Sequence, residues 1–302
     1  MSLPIGELAA LGTSVSWTVS AFAFESATRR LGPLAMNFVR VSLALAILSV
    51  VVIFVRGTPL PTDASAAQLG WLALSGLVGL VLGDLCLFRA YVEIGARRAM
   101  LVQTTAPIFT ALIGWAALGE TPRASAALGT ALVLAGVAWA IKERTAAAPH
   151  TIAPQGAGRT GLGLLLALGG ALGQAGGLVL SKHGMAGYHP IAATQVRMIA
   201  GVAGFAVVVT LARAWPRVGA ALDNRAGVGF TALGALFGPT IGVSLSLLAV
   251  AHAQAGVAAA LIATQQVWMA GATVALGRER LGLGGLIGAV LAVAGVILLV
   301  AL

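Results

Sequence analysis

Apolar residues run along this chain in long stretches separated by short polar or Gly/Pro-containing turns. The stretches predict ten membrane-spanning helices, each near the ~20 residues that cross a hydrocarbon core. They cover 5–25, 34–55, 69–90, 98–118, 124–141, 161–181, 191–213, 227–250, 255–276 and 282–302. Punctuation such as Leu31-Gly32-Pro33 and Gly57-Thr58-Pro59-Leu60-Pro61 marks the loops. The period-two alternation that a membrane β-barrel needs is absent from the sequence.

The spans fall into two weakly similar halves. Gly129-x6-Gly136-Val137 matches Gly288-x6-Gly295-Val296 at an offset of 159. Ala117-Leu118-Gly119 matches Ala275-Leu276-Gly277, with Glu120 and Glu279 just beyond, and Pro33-x6-Arg40 matches Pro190-x6-Arg197 at an offset of 157. The expected organisation is a five-helix repeat over 1–141, a linker rich in Ala, Pro and Gly over 142–160, and a second five-helix repeat over 161–302. An odd number of spans per repeat inserts the second copy upside down. The expected fold is therefore all-α and integral to the membrane: ten transmembrane helices in two inverted five-helix repeats around a central cavity. That is the architecture of secondary transporters.

Composition agrees with a membrane protein. Of 302 residues, 59% are hydrophobic and 9% charged, against about 25% charged in soluble domains. Forty glycines suit close helix packing in lipid. The net charge of +9 lies in loops and has no aromatic interleaving, so it indicates membrane orientation rather than nucleic-acid binding. One face would carry twelve basic residues, among them Arg29, Arg30, Lys142, Arg213, Arg278 and Arg280; the other carries only Arg56, Arg123 and Lys182. The basic face is expected in the cytoplasm and both termini in the periplasm of a bacterial inner membrane. A single cysteine, Cys86, excludes an intrachain disulfide. No metal spacing, P-loop or cofactor motif is present, and no basic region marks a signal peptide ahead of the first span.

Ala106-Pro107-Ile108-Phe109, then Leu118-Gly119-Glu120, then the Gly129–Val137 pattern, resemble the drug/metabolite transporter (DMT) superfamily. The likeness is to bacterial ten-span members built from two EamA-type repeats, and it covers nearly the whole chain. The second copy, Leu276-Gly277-Arg278-Glu279-Arg280-Leu281, departs from the pattern: Gln265 stands at the proline position and Arg278 precedes the glutamate. Within the superfamily the chain looks most like the YddG-type amino-acid exporters. The resemblance implies a secondary exporter of small metabolites, most of all neutral aromatic or aliphatic amino acids. Drugs and other metabolites are the alternative cargo.

Four helical faces carry polar and aromatic residues at i, i+4, i+7 spacing. On span one these are Thr13, Trp17, Ser20 and Phe24; on span six, Gly170, Gln174, Gly177 and Ser181. On span four they are Gln103, Pro107, Thr110 and Gly114, and on span nine Leu261, Gln265, Trp268 and Ala272. Amides and hydroxyls with indoles suit a small zwitterion with an apolar body. The competing reading is interhelical hydrogen bonding, common in membrane bundles. Asp84 is the only carboxylate well inside a predicted span, and its face continues through Phe88 and Tyr91. It could carry a coupling proton or hold a substrate ammonium, or it could pair with Arg40, Arg89 or Arg197. Val243 stands at its counterpart in the second half.

Arg40 and Arg197 recur in both halves, which favours a structural or gating role, although a guanidinium also matches a substrate carboxylate. Pro107 and Pro239 each remove a helical hydrogen bond and are candidate hinges. Glu120 and Glu279 read as helix-end or ion-pairing residues. The expected activity is alternating access by a monomer in the lipid bilayer, with a small-molecule substrate and proton coupling through Asp84 as an option. A membrane enzyme would need a convergent acid, base or metal set, and the sequence shows none. A passive channel or scaffold is disfavoured by the inverted repeat.

Overall fold

The computed structural model describes residues 4–94, 96–121, 123–143, 160–276 and 283–300, and these form helices joined by short turns. The first half runs α1 (Ile5–Leu31), α2 (Pro33–Arg56), α3 (Ala66–Gly76), a π-helical segment (Leu77–Gly83), α4 (Asp84–Ile94), α5 (Ala96–Gln103), α6 (Ala106–Leu118) and α7 (Ala124–Glu143). The second runs α8 (Thr160–Met185), α9 (Pro190–Leu211), α10 (Trp215–Asp223), α11 (Arg225–Ala235), a second π-helical segment (Leu236–Gly242), α12 (Val243–His252), α13 (Ala255–Ala263), α14 (Gln265–Ala275) and α15 (Leu283–Val300). Most of the 142–160 linker and the end of the second Leu-Gly motif, 277–282, lie outside the described residues.

Among the described residues, six helical stretches are long and apolar enough to cross a bilayer: Pro33–Arg56, Ala66–Tyr91, Thr160–Met185, Pro190–Leu211, Arg225–His252 and Ala255–Ala275. Ala106–Leu118, Ala124–Trp139 and Gly284–Val300 are shorter apolar helices. The outer surface is greasy, as contact with hydrocarbon requires: Phe54 is 84% exposed and Leu211 80%.

Local chemistry sets the boundaries. α1 runs past the predicted end at 25 because Glu25 and Arg29 pair at i,i+4 spacing, 2.5 Å apart, along its polar last turns. It stops at Gly32, and Pro33 opens α2, where the missing N–H is harmless. Ser65 and Gln68 form a reciprocal capping box at the start of α3. An element without a counterpart among the ten predicted stretches is α10, a short helix between α9 and α11. Trp215 anchors it, packing edge-on to Phe38 at 5.3 Å and donating to Thr210 at 3.0 Å.

The duplicated sequence features explain the packing. α7 and α15 lie against each other, and the paired glycines set the approach. A β-carbon on Gly136 would sit 2.5 Å from the Gly288 carbonyl oxygen, and one on Gly295 would sit 2.7 Å from that of Gly129. Backbones can meet this closely only where side chains are missing. α2 packs on α9, again copy against copy. The first helix of each half crosses over: α1 lies along α11, the second π segment and α12, and α8 lies along α3, the first π segment and α4.

The two π segments occupy equivalent places, Leu77 and Leu236 being 159 apart. Pro239 lies in the second, but Leu80 stands at that position in the first, so proline alone does not create them. Both share glycines, Gly79 and Gly83 against Gly238 and Gly242. On the first, α8 approaches through its own glycines: a β-carbon on Gly173 would lie 2.7 Å from the Gly83 Cα, and one on Gly177 the same distance from the Gly79 Cα. On the second, α1 has serines instead. Ser16 donates to the Phe237 carbonyl at 2.5 Å and Ser20 to the Gly234 carbonyl at 2.9 Å. A π turn disturbs the regular i→i−4 ladder, and these hydroxyls bond carbonyls in and just before the segment.

Candidate functional site

The stretches predicted as spans four and nine are each interrupted at the same place. α5 ends at Gln103 and α6 begins at Ala106; α13 ends at Ala263 and α14 begins at Gln265. Thr105 and Thr264 stand in the two breaks, 159 residues apart, and act alike. The Thr105 hydroxyl donates to the Val102 carbonyl and the Thr264 hydroxyl to the Leu261 carbonyl, both at 2.6 Å. Such back-bonding competes with the helical ladder, and the same carbonyl also accepts from the threonine's own N–H. Pro107 therefore lies in the first turn of α6, where it opens a helix rather than bending one.

Unsatisfied polar atoms adjoin both breaks. Both amide atoms of Gln103 are buried without a hydrogen-bond partner, and so is the Gln266 Oε1. Thr240 Oγ1 in the second π segment and Ser244 Oγ in α12 are also buried and unpartnered. Buried polar atoms are normally hydrogen-bonded, so such a set indicates a role beyond packing. Gln266, Thr240 and Ser244 escaped the sequence reading. A continuous i, i+4 phase carried from Leu261 selects Gln265, but the turn at Thr264 resets the phase.

The residues singled out on α1 bind to span eight. The Thr13 hydroxyl donates to the Ala9 carbonyl at 2.8 Å and lies 3.4 Å from the Gly242 carbonyl oxygen. The Trp17 indole lies against Gly238 and Gly242, its Nε1 3.0 Å from where a β-carbon on Gly242 would be. Ser20 is held by Gly234, as above. Thr18, one position off that face, lies 3.3 Å from the Gln265 carbonyl oxygen and ties α1 to the second break. Gln174 is exposed on α8, Gln265 is half-buried, and Trp268 on α14 is 50% exposed.

Asp84 is the first residue of α4, directly after the first π segment, and it pairs with Arg40 of α2. Both are buried. The Arg40 guanidinium also lies over the Phe24 ring, 5.4 Å from its centre. Further along α4, Phe88 and Tyr91 meet edge to face at 5.7 Å. Arg89 pairs within its own helix with Glu93 at 2.7 Å. Arg197, the counterpart of Arg40, is buried, yet among the described residues no ion pair or hydrogen bond reaches its guanidinium. Pro239 is buried within the second π segment.

One end of the bundle is tied across the repeats. Gly119 adopts a left-handed conformation, φ 69°, that ends α6 and turns the chain. Glu120 then reaches the second half, accepting from the Ala255 N–H at 2.8 Å at the start of α13 and pairing with Lys182 of α8 at 2.5 Å. Lys182 also donates to the Ala253 carbonyl, and Gln254 donates to the Thr121 carbonyl at 3.1 Å. The Leu-Gly-Glu motif is thus a helix stop followed by a cap for a helix of the other repeat. At the same end Arg56 pairs with Asp63 and donates to the Tyr188 hydroxyl at 3.1 Å, and Tyr188 donates to Asp63 at 3.0 Å. The Arg56 hydrogen bond holds the Asp63 carboxyl below the usual carboxylate range. Below this end α6 packs on α13, where a β-carbon on Gly256 would lie 2.7 Å from the Ala111 Cβ. Past the second break, α14 has no buried residue.

The fold and sequence match known proteins at two levels. No curated protein matches the sequence significantly. A solved crystal structure of a protein superposes with a TM-score of 0.75 over 98% of this chain and 96% of its own, at 20% identity, which establishes a shared fold. The model of the EamA-like transporter family matches twice, over residues 4–142 and 161–301. Two copies of that family's unit, apolar helices long enough to cross a bilayer and a crossed-over packing of the two halves make this chain a multi-pass membrane protein belonging to the EamA-like transporter family, of the drug/metabolite transporter type.

Proposed function

We propose that the chain is a secondary transporter that exports neutral aromatic or aliphatic amino acids across the bacterial inner membrane by alternating access. It would do so as a ten-span monomer of two inverted repeats, 1–141 and 161–302, joined by 142–160. The observation that carries this reading is the pair of equivalent breaks in spans four and nine. Each is sealed by a threonine hydroxyl, and unpartnered glutamine amides lie beside them at Gln103 and Gln266. Interrupted helices next to unsatisfied polar groups suit a polar ligand at mid-membrane depth. Trp17, Phe88, Tyr91 and Trp268 would meet the apolar body of the substrate; Thr13, Ser20, Gln174 and Gln265 complete the polar set.

The cross-repeat ties at Glu120 and the close packing of α6 on α13 support a conformer shut at that end. The unburied α14 supports access from the other. Loop charge assigns the α14 end to the cytoplasm and both termini to the periplasm, so this conformer would load substrate from inside. Arg40, Arg197, Pro107 and Pro239 act in gating on this reading. Asp84, held by Arg40, would couple transport to protons only if that pair opens during the cycle.

Counterflow in proteoliposomes tests the proposal. Vesicles preloaded with unlabelled leucine or phenylalanine should take up the labelled amino acid faster than empty ones. Folded protein that shows no acceleration with any neutral amino acid would overturn the substrate class and move the search to drugs and other metabolites.

A further inference from the structure

Arg40 and Arg197 are equivalent by sequence but not by surroundings. Arg40 has Asp84; in the second half the position of Asp84 is taken by Val243, itself buried. Arg197 is 5% exposed, and its Nε has no hydrogen-bond partner. It lies where α9, α8 and the first π segment meet. Its Nη2 is 3.3 Å from where a β-carbon on Gly79 would sit, and the Gly177 Cα is 3.3 Å from that same point. Gly79 therefore places no side chain against that guanidinium nitrogen.

Charge completes the argument. Asp84 is already paired with Arg40, and no carboxylate pairs with Arg197 among the described residues. Glu93 and Arg89 neutralise each other further along α4. A buried guanidinium without a counter-charge is strongly unfavourable, and its planar fork matches a carboxylate through two parallel hydrogen bonds. We infer that Arg197 is the anchor for a substrate carboxylate, which supplies the negative charge that Val243 does not. The inference rests on the transporter reading and sharpens it: the substrate must bear a carboxylate, and the two repeats contribute unequally to its recognition.

Binding to the purified full-length protein in detergent tests this separately from transport. The probes are leucine, 4-methylpentanoate (the carboxylate without the ammonium), isopentylamine (the ammonium without the carboxylate) and sodium chloride at matched ionic strength. Leucine and 4-methylpentanoate should raise the melting temperature of the wild type, and isopentylamine and chloride should not. Arg197→Gln should weaken the apparent affinity for both carboxylates by about tenfold or more, and Arg197→Lys by less. Val243→Asp, which restores the carboxylate of the first repeat, should abolish the response while the protein stays monodisperse. If Arg197→Gln does not fold, the Lys and Val243→Asp variants carry the test. Wild-type affinity in these variants, chloride acting as strongly as the carboxylates, or no carboxylate response in the wild type would each overturn the anchor. Leucine counterflow unaffected by Arg197→Gln would sink the anchor and leave the exporter standing. Carboxylate binding lost in Arg197→Gln, without leucine counterflow in the wild type, would do the reverse.

Discussion

The Arg40–Asp84 pair joins α2 to the helix that follows the first π segment, and both groups are out of water. Removing one member of such a pair leaves a buried charge unmatched and costs roughly 3–5 kcal/mol, whereas replacing both by apolar groups is often neutral. Asp84→Asn and Arg40→Met should therefore each lower the melting temperature in detergent, and the double variant Arg40→Met/Asp84→Leu should recover most of the loss. Additive losses in the double variant would mean the pair is not the source of the effect. Asp63 gives a second test at this scale. Its carboxyl is held low by Arg56, so its contribution is fully present above the ordinary carboxylate range and fades only as pH falls through the lowered value. Melting curves of wild type and Asp63→Asn should thus differ by a constant amount from pH 8 down to about pH 5 and converge below about pH 4. A gap that changes near neutrality would point to a different titrating group.

Helix contacts made through glycine have little tolerance. The Gly136 position faces backbone, with a hypothetical β-carbon 2.4 Å from the Ala292 nitrogen. Gly136→Ala must push α7 and α15 apart, at a cost of about 1–3 kcal/mol for overpacking. We expect a lower yield of monodisperse protein and a lower melting temperature. Gly70→Ala serves as the control, because nothing lies within 4 Å of a β-carbon there. Equal effects of the two substitutions would show that helix propensity, not packing, sets the response. The same geometry explains why the Gly129–Gly136 and Gly288–Gly295 pattern is the clearest sign of the duplication: both copies meet each other and face the same constraint.

Across the whole molecule, the contacts of Glu120 with Lys182 and with the first turn of α13 join the two repeats at one end. Glu120→Gln keeps a hydrogen-bond acceptor for the Ala255 N–H but removes the ion pair, worth about 1 kcal/mol at a partly exposed site. If alternating access operates, that change should shift the population towards the conformer open at this end. A cysteine introduced at Ala111, on the Gly256 contact, should then react faster with a membrane-impermeant maleimide in the Glu120→Gln background than in wild type. Unchanged labelling would mean that these ties do not hold the end shut.

Much of the architecture was legible in the sequence because lipid imposes simple rules. Long apolar stretches and paired glycines follow from hydrocarbon thickness and close helix approach, and each leaves a linear signature. Glu120 reads as a helix-end or ion-pairing residue and serves as both, while Glu279 lies outside the described residues. The sequence did not reveal what lies opposite each polar side chain. Asp84 had three possible arginine partners, and only the tertiary structure, which brings Arg40 of α2 to the start of α4, selects Arg40. The sequence already set Val243 opposite Asp84, but only the fold shows that Arg197 is buried with no ion pair among the described residues and with Gly79 beside its guanidinium. The turns at Thr105 and Thr264 also interrupt the helical phase, and the buried, unpartnered Gln266 Oε1 lies one position from the Gln265 that a continuous phase selects. Polar pairing inside a membrane is a three-dimensional balance of charge and hydrogen bonds, and the tertiary structure alone decides it.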